Sequence, residues 1–242
     1  MNDFLSALNT FSKALFPNRC ELCGEVIELD KKLCDNCLDA PVISAPLCEF
    51  CGCSEADCTC KKHKNEYKRI VAPYYYRDVI VSAIHRFKDD EMPFLSNKLA
   101  KDMYDCVLRE YSDVEFDLIT YVPLRKLKQQ KRGFNQSALL AERISKLMNV
   151  PVSPLLVKTR YTGIQHHKSA AERKAAAFGS YDVAKKYKNE LDGKNILLID
   201  DVKTTGSTLN ECAKMLKIYS AKSVYCAVAA ITCQDKNKQR QP

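Results

Sequence analysis

A chain of 242 residues can bury one substantial core and carry a small appendage, because domains cluster at about 100 to 150 residues. Its 46% hydrophobic and 28% charged content is that of an ordinary globular protein, and no apolar run approaches the ~20 residues that a membrane-spanning helix needs. The formal charge of +8 is concentrated between Tyr121 and Lys174, where 12 Lys and Arg face 2 Asp and Glu, a field that suits polyanionic partners such as nucleic acid or phosphorylated metabolites, or else a solvated basic face.

The first segment, Asp3 to Phe16, sets Phe4, Leu8, Phe11 and Leu15 at helical spacing, which predicts a short amphipathic helix. It lacks the basic start, continuous apolar stretch and small-residue cleavage site of a secretory signal, so a cytoplasmic location is expected. Nine of the 13 cysteines then crowd between Cys20 and Cys60. In a chain with no export signal this density predicts metal binding over disulfides. Cys20/Cys23, Cys34/Cys37 and Cys48/Cys51 are C-x-x-C pairs, and Cys58/Cys60 closes the series as C-x-C. Two such pairs supply the four thiolates of a closed, structural zinc site with no open position for substrate. Sequential pairing assigns one ion to Cys20, Cys23, Cys34 and Cys37 and a second to Cys48, Cys51, Cys58 and Cys60. Interleaved pairing fits the spacing too, and Cys53 or His63 is available to replace a member of the last pair. Iron–sulfur ligation uses the same donors and would show as brown protein.

Beyond the cysteines, Tyr74 to Tyr76 suggest β structure. Helical patterns follow at Val81 to Phe87, Leu95 to Leu108, Gln136 to Met148 and Ser207 to Tyr219. Strands are expected at Leu118 to Val122, Leu155 to Lys158, Ile196 to Ile199 and Val224 to Ile231. This alternation predicts an α/β fold with a parallel sheet flanked by helices and ligands at the C-terminal strand edges. The expected organisation is a helix and zinc-ribbon module over 1–66, an α/β domain over 67–233 and a polar tail over 234–242.

The apolar run Asn195 to Ile199 leads into Asp200, Asp201, Val202, Lys203, Thr204, Thr205, Gly206, Ser207 and Thr208, which reads as strand, loop and helix start. Amides at a helix N-terminus beside small hydroxyl side chains can surround a phosphate, and Gly206 permits the tight turn. Adjacent carboxylates at a strand end repel unless an outside group, such as ribose hydroxyls or magnesium, shares their charge. An N-capping turn with solvated aspartates is the plainer alternative.

The segment ILLIDDVKTTGST resembles the phosphoribosyl pyrophosphate signature of type I phosphoribosyltransferases. Val122, Pro123 and Leu124, then Arg132, Gly133, Phe134, Asn135 and Gln136, resemble the VPL and RGFNQ segments of the ComF family of competence proteins, as do the cysteine pairs. This resemblance implies a double zinc ribbon followed by a type I phosphoribosyltransferase-like domain. It implies that Asp200 and Asp201 face the ribose hydroxyls with magnesium, and that Thr204, Thr205, Gly206, Ser207 and Thr208 hold the 5′-phosphate. Leu124, Arg125, Arg132, Asn135 and Gln136 become candidates for contact with pyrophosphate or nucleic acid. Lys88 matches a lysine typical of the family, whereas His85 reads as a surface helix residue. Relatives often carry an arginine followed by an asparagine ahead of a phenylalanine; Arg173 and Phe178 are present here, but alanines fill the space between, a departure from the pattern. The implied role is DNA uptake with single-stranded DNA handling alongside competence-machinery proteins. The alternatives are a phosphoribosyltransferase acting on an amine or nucleobase, and a non-enzymatic zinc-ribbon adaptor that senses a phosphorylated metabolite.

Overall fold

A computed structural model of the chain describes residues 17–60, 65–89, 92, 94–124, 129–130, 132–159 and 180–233. The Asp3–Phe16 helix, the tail over 234–242, His63, Arg125 and the Arg160–Phe178 stretch lie outside the described residues.

The scaffold is a parallel sheet centred on β7 (Ser223–Ile231) and β6 (Asn195–Lys203). All nine residues of β7 are buried, the uninterrupted apolar run of a strand covered on both faces. On one side of β6 lies β3 (Leu118–Tyr121), extended by a bridge from Ile119 to Val152. On the other side of β7, β1 (Ile70–Val71) and β2 (Tyr74–Tyr75) pair in succession along the same strand. Pro73 separates them, since proline has no N–H for the ladder.

Helix α3 (Leu95–Glu110) packs against α4 (Gln136–Met148), and both cover one face of the sheet. The crossover from β6 to β7 runs through α5 (Ser207–Ile218), which packs on both strands. Helix α2 (Val79–Asp89) follows β2 directly, and its Phe87 ring lies 5.9 Å from Phe134.

Two expectations are corrected. Leu155 to Lys158 does not join the parallel sheet: β4 (Leu156–Lys158) pairs antiparallel with β5 (Tyr181–Val183) in a separate two-stranded sheet. The strand expected at Ile196 to Ile199 runs on to Lys203, because Asp200, Val202 and Lys203 keep their pairing with Val228, Ala230 and Ile231. The acidic pair therefore sits inside the strand, just ahead of the turn.

The cysteine module, which carries the single-turn helix α1 (Asp35–Leu38), is joined to the same sheet. Val42 bridges Tyr74 antiparallel, with the Tyr75 amide donating to Pro41 and the Ile43 amide to Pro73, each at 2.9 Å. Cys53 is bonded to Cys233 at the end of β7. The leftover cysteine thus has a partner 180 positions away and does not replace a member of the last pair, which clusters as Cys58 and Cys60 with Cys48 and Cys51.

Candidate functional site

Two four-cysteine clusters form, Cys20/Cys23/Cys34/Cys37 and Cys48/Cys51/Cys58/Cys60, with the sulfurs of each within 4.8 Å of one another. This is the sequential pairing. Sulfur separations of 3.6 Å for Cys23–Cys34, 3.7 Å for Cys48–Cys60 and 3.6 Å for Cys51–Cys58 match the ~3.8 Å edge of a tetrahedron with Zn–S bonds of ~2.3 Å. Four thiols this close cannot all ionise alone. Against burial, the amides of Cys34, Cys23 and Leu22 hold the Cys20 thiol down at about 7, while burial pushes Cys23 up to about 11. A divalent cation removes that conflict, so the donor set fits a structural zinc in each cluster.

The second site lies at the C-terminal ends of β3 and β6. Asp200 is half-buried, and its carboxylate accepts hydrogen bonds from the Ser137 hydroxyl at 2.8 Å and the Asp201 amide at 2.9 Å. Burial first, and the Asp201 charge second, raise its pKa to about 7. Asp201 pairs with the Lys88 ammonium at 2.8 Å, and the Val202 amide donates to its other oxygen at 2.6 Å. The two carboxyl groups thus have one lysine between them, and both side chains keep some exposure to solvent, where a hydroxyl or metal ligand can reach them.

Beyond β6 the chain turns at Gly206, which occupies the left-handed region at φ 82° and caps α5 without a side-chain bond to the helix amides. Thr204, Thr205 and Ser207 are exposed, Gly206 and Thr208 half-buried. The Thr205 and Ser207 hydroxyls lie 2.9 Å apart. Hydroxyls converge at the positive end of a 12-residue helix, where the Ser207 amide donates to the Thr205 hydroxyl at 3.3 Å, and such a helix start is receptive to an anion.

The loop after β3 is fixed by the segment ahead of α4. Asn135 caps α4 by accepting from the Ser137 amide at 3.0 Å and donates to the Val122 carbonyl at 3.1 Å. Gln136 reaches the Lys88 carbonyl at 3.4 Å. Both side chains are buried, and these bonds hold the loop after β3 and the start of α4 in place. Leu124 and Arg132 are half-buried near the loop. A cleft of about 510 Å³ opens beside it, lined by Tyr121, Leu124, Phe134, Leu139, Glu142 and Lys158 among others.

Ser137 and Lys203 were missed from sequence. Ser137 was legible only as the residue two beyond an N-cap asparagine. Lys203 carried a signal, a lysine in a strand that turns out to leave it 8% exposed.

Residues 135–242 match the phosphoribosyl transferase domain family, and residues 11–66 match the double zinc ribbon domain family. Over 213 residues the chain is 30% identical to competence protein F of Haemophilus influenzae, covering 84% of this chain and 92% of that protein. It is 29% identical over 202 residues to the DNA utilization protein YhgH of Escherichia coli K12, covering 81% and 83%. To the competence protein ComFC of Bacillus subtilis it is 27% identical over 202 residues, covering 79% and 80%. No helix among the described residues is long and apolar enough to cross a membrane. With a double zinc ribbon joined to a phosphoribosyltransferase-type sheet and this similarity along most of its length, the chain belongs to the ComF family of competence proteins.

Proposed function

We propose that this protein binds phosphoribosyl pyrophosphate with magnesium at the C-terminal edge of β6 and acts in DNA uptake, handling single-stranded DNA in the cytoplasm. The observation that carries this reading is the continuity of an acidic pair, a left-handed glycine turn and an exposed helix start over Asp200 to Thr208. Asp200 and Asp201 accept hydrogen bonds from the ribose hydroxyls, with Lys88 balancing their charge. The amides and hydroxyls of Thr204 to Thr208 take the 5′-phosphate. The Val122–Leu124 loop, with Arg125 and Arg132 as its candidate cations, faces the pyrophosphate. Magnesium, when bound, would neutralise pyrophosphate charge. Residues 1–66 act as the zinc module, 67–233 as the ligand-binding domain and 234–242 as a polar tail. The basic stretch between Tyr121 and Lys174 supplies DNA contacts that weaken with salt.

Calorimetry with phosphoribosyl pyrophosphate and magnesium tests the site. The wild type should bind, and the double variant Asp200→Ala/Asp201→Ala should bind at least about tenfold more weakly, the loss of one or two charge-assisted hydrogen bonds. Undiminished affinity in the double variant would refute the assignment. A gel shift of single-stranded DNA should weaken steeply as salt rises.

The cleft beside the Val122–Leu124 loop favours a second reading, transfer of the phosphoribosyl group to an amine or nucleobase, because it offers space for an acceptor next to the proposed pyrophosphate loop. Pyrophosphate release that depends on an added base would support it. Ligand binding without turnover or DNA retardation would leave the sensor role.

A further inference from the structure

The side chain of Lys203 leaves the ligand strand and turns under the glycine turn, toward the cysteine module. A Cβ at Gly206 would stand 3.0 Å from Lys203 Cε and 3.5 Å from the Tyr67 hydroxyl. That hydroxyl donates to the Phe50 carbonyl at 3.4 Å, and Phe50 lies between Cys48 and Cys51. One residue beyond Cys51, a Cβ on Gly52 would collide with Ile231, the β7 residue paired with Lys203. Lys203, Tyr67, Ile231 and the Cys48–Gly52 knuckle therefore fill one small volume behind the turn.

Lys203 is 8% exposed, and among the described residues no carboxylate forms an ion pair with it. A buried ammonium needs an anion. The geometry sets it beside the Cys48–Gly52 knuckle, whose Cys48 and Cys51 thiolates, together with Cys60 and the buried Cys226, act on its charge. Zinc with four thiolates carries a net charge of about −2, so the loaded cluster remains anionic and would oppose a second anion on the turn.

We infer that Lys203 is a positioning residue shared between the second zinc site and the Thr204–Thr208 turn, its ammonium serving as counter-ion to the cluster while its stem braces Gly206. The phosphate half of this inference rests on the proposed 5′-phosphate site; the zinc half does not. A lysine between two anionic groups favours both, so its removal weakens both.

The test is Lys203→Met in the zinc-loaded full chain, a change that keeps the buried stem and deletes the charge. One of the two zinc ions should pass to a chromophoric chelator about tenfold faster than in wild type, and affinity for phosphoribosyl pyrophosphate with magnesium should fall about tenfold, each the effect of losing one partly screened charge. Lys222→Met, an exposed lysine at the opposite end of the sheet, should change neither. Unchanged zinc release overturns the counter-ion role. Faster release with full affinity in a protein that binds the ligand overturns the shared role, as does weaker affinity with unchanged release. If the wild type binds no phosphoribosyl pyrophosphate, the ligand proposal fails instead, and zinc release alone decides whether Lys203 serves the cluster. Should Lys203→Met not fold, Lys203→Gln carries the same measurements.

Discussion

Asp200→Asn should make the protein more stable while damaging its ligand site. The asparagine Oδ1 can still accept from the Ser137 hydroxyl and the Asp201 amide, so the bonds of 2.8 and 2.9 Å survive and only the ionisation is removed. In the folded chain the Asp200 carboxyl titrates at about 7, raised from 3.8 by burial and then by Asp201. The folded state therefore binds more protons than the unfolded one between those values, so wild-type stability falls as pH rises through that window and levels off above it. The full displacement sets a ceiling of about 4 kcal/mol. Lys88, paired with Asp201, and the partial exposure of the site reduce the expected gain to about 2 kcal/mol near pH 8, with about half of it present near pH 5.5. For a chain of this size that corresponds to a rise in melting temperature of roughly 4–8 °C. Thermal unfolding followed by circular dichroism at both pH values, with zinc held saturating and no ligand, measures it. A variant less stable than wild type near pH 8, or a gap that does not widen with pH, would refute the reasoning.

Three further changes follow from the geometry. Gly206→Ala forces a side chain into the left-handed region against Lys203, which should cost about 1–2 kcal/mol in urea unfolding and lower phosphoribosyl pyrophosphate affinity; a neutral result in both assays would contradict the tight turn. Asn135→Ala removes the α4 cap and the bond to Val122 together, an expected loss of about 2 kcal/mol, and a loss below about 0.5 kcal/mol would deny it a positioning role. Wild-type protein should yield two zinc ions per chain to a chelator, and Cys37→Ser or Cys51→Ser about one; two ions retained in either variant would break the ligand assignment.

Where the sequence spoke clearly, burial was one-sided or complete. Helix α4 begins and ends where its apolar period predicts, Gln136 to Met148, because Asn135 is an N-cap and Asn149 takes the left-handed C-cap conformation. Strand β7 was legible as an unbroken apolar run. Strand β6 extended past its apolar core because pairing with β7 outweighs the poor strand preference of two aspartates. In Leu156–Lys158 only the first residue is buried, the mark of a half-exposed hairpin rather than a doubly covered parallel strand. Cys53 had no legible partner, since no spacing rule connects it to Cys233.

The cysteine module bears on the ligand site through position as well as charge. Its knuckle and Tyr67 fill the space behind the glycine turn on the β7 side, Asn210 of α5 accepts from the Glu66 amide at 2.7 Å, and Gly52 lies against Ile231. That side of the turn is occupied by protein. A ligand whose phosphate sits on the turn must extend across the end of β6 toward β3, passing Asp200 and Asp201 before it reaches the loop that Asn135 holds at Val122. For the proposed ligand, the order phosphate, diol, second phosphate group would follow from which edge the zinc module closes. Weakening the module should disturb the phosphate end of the site before the loop after β3, which α4 supports independently.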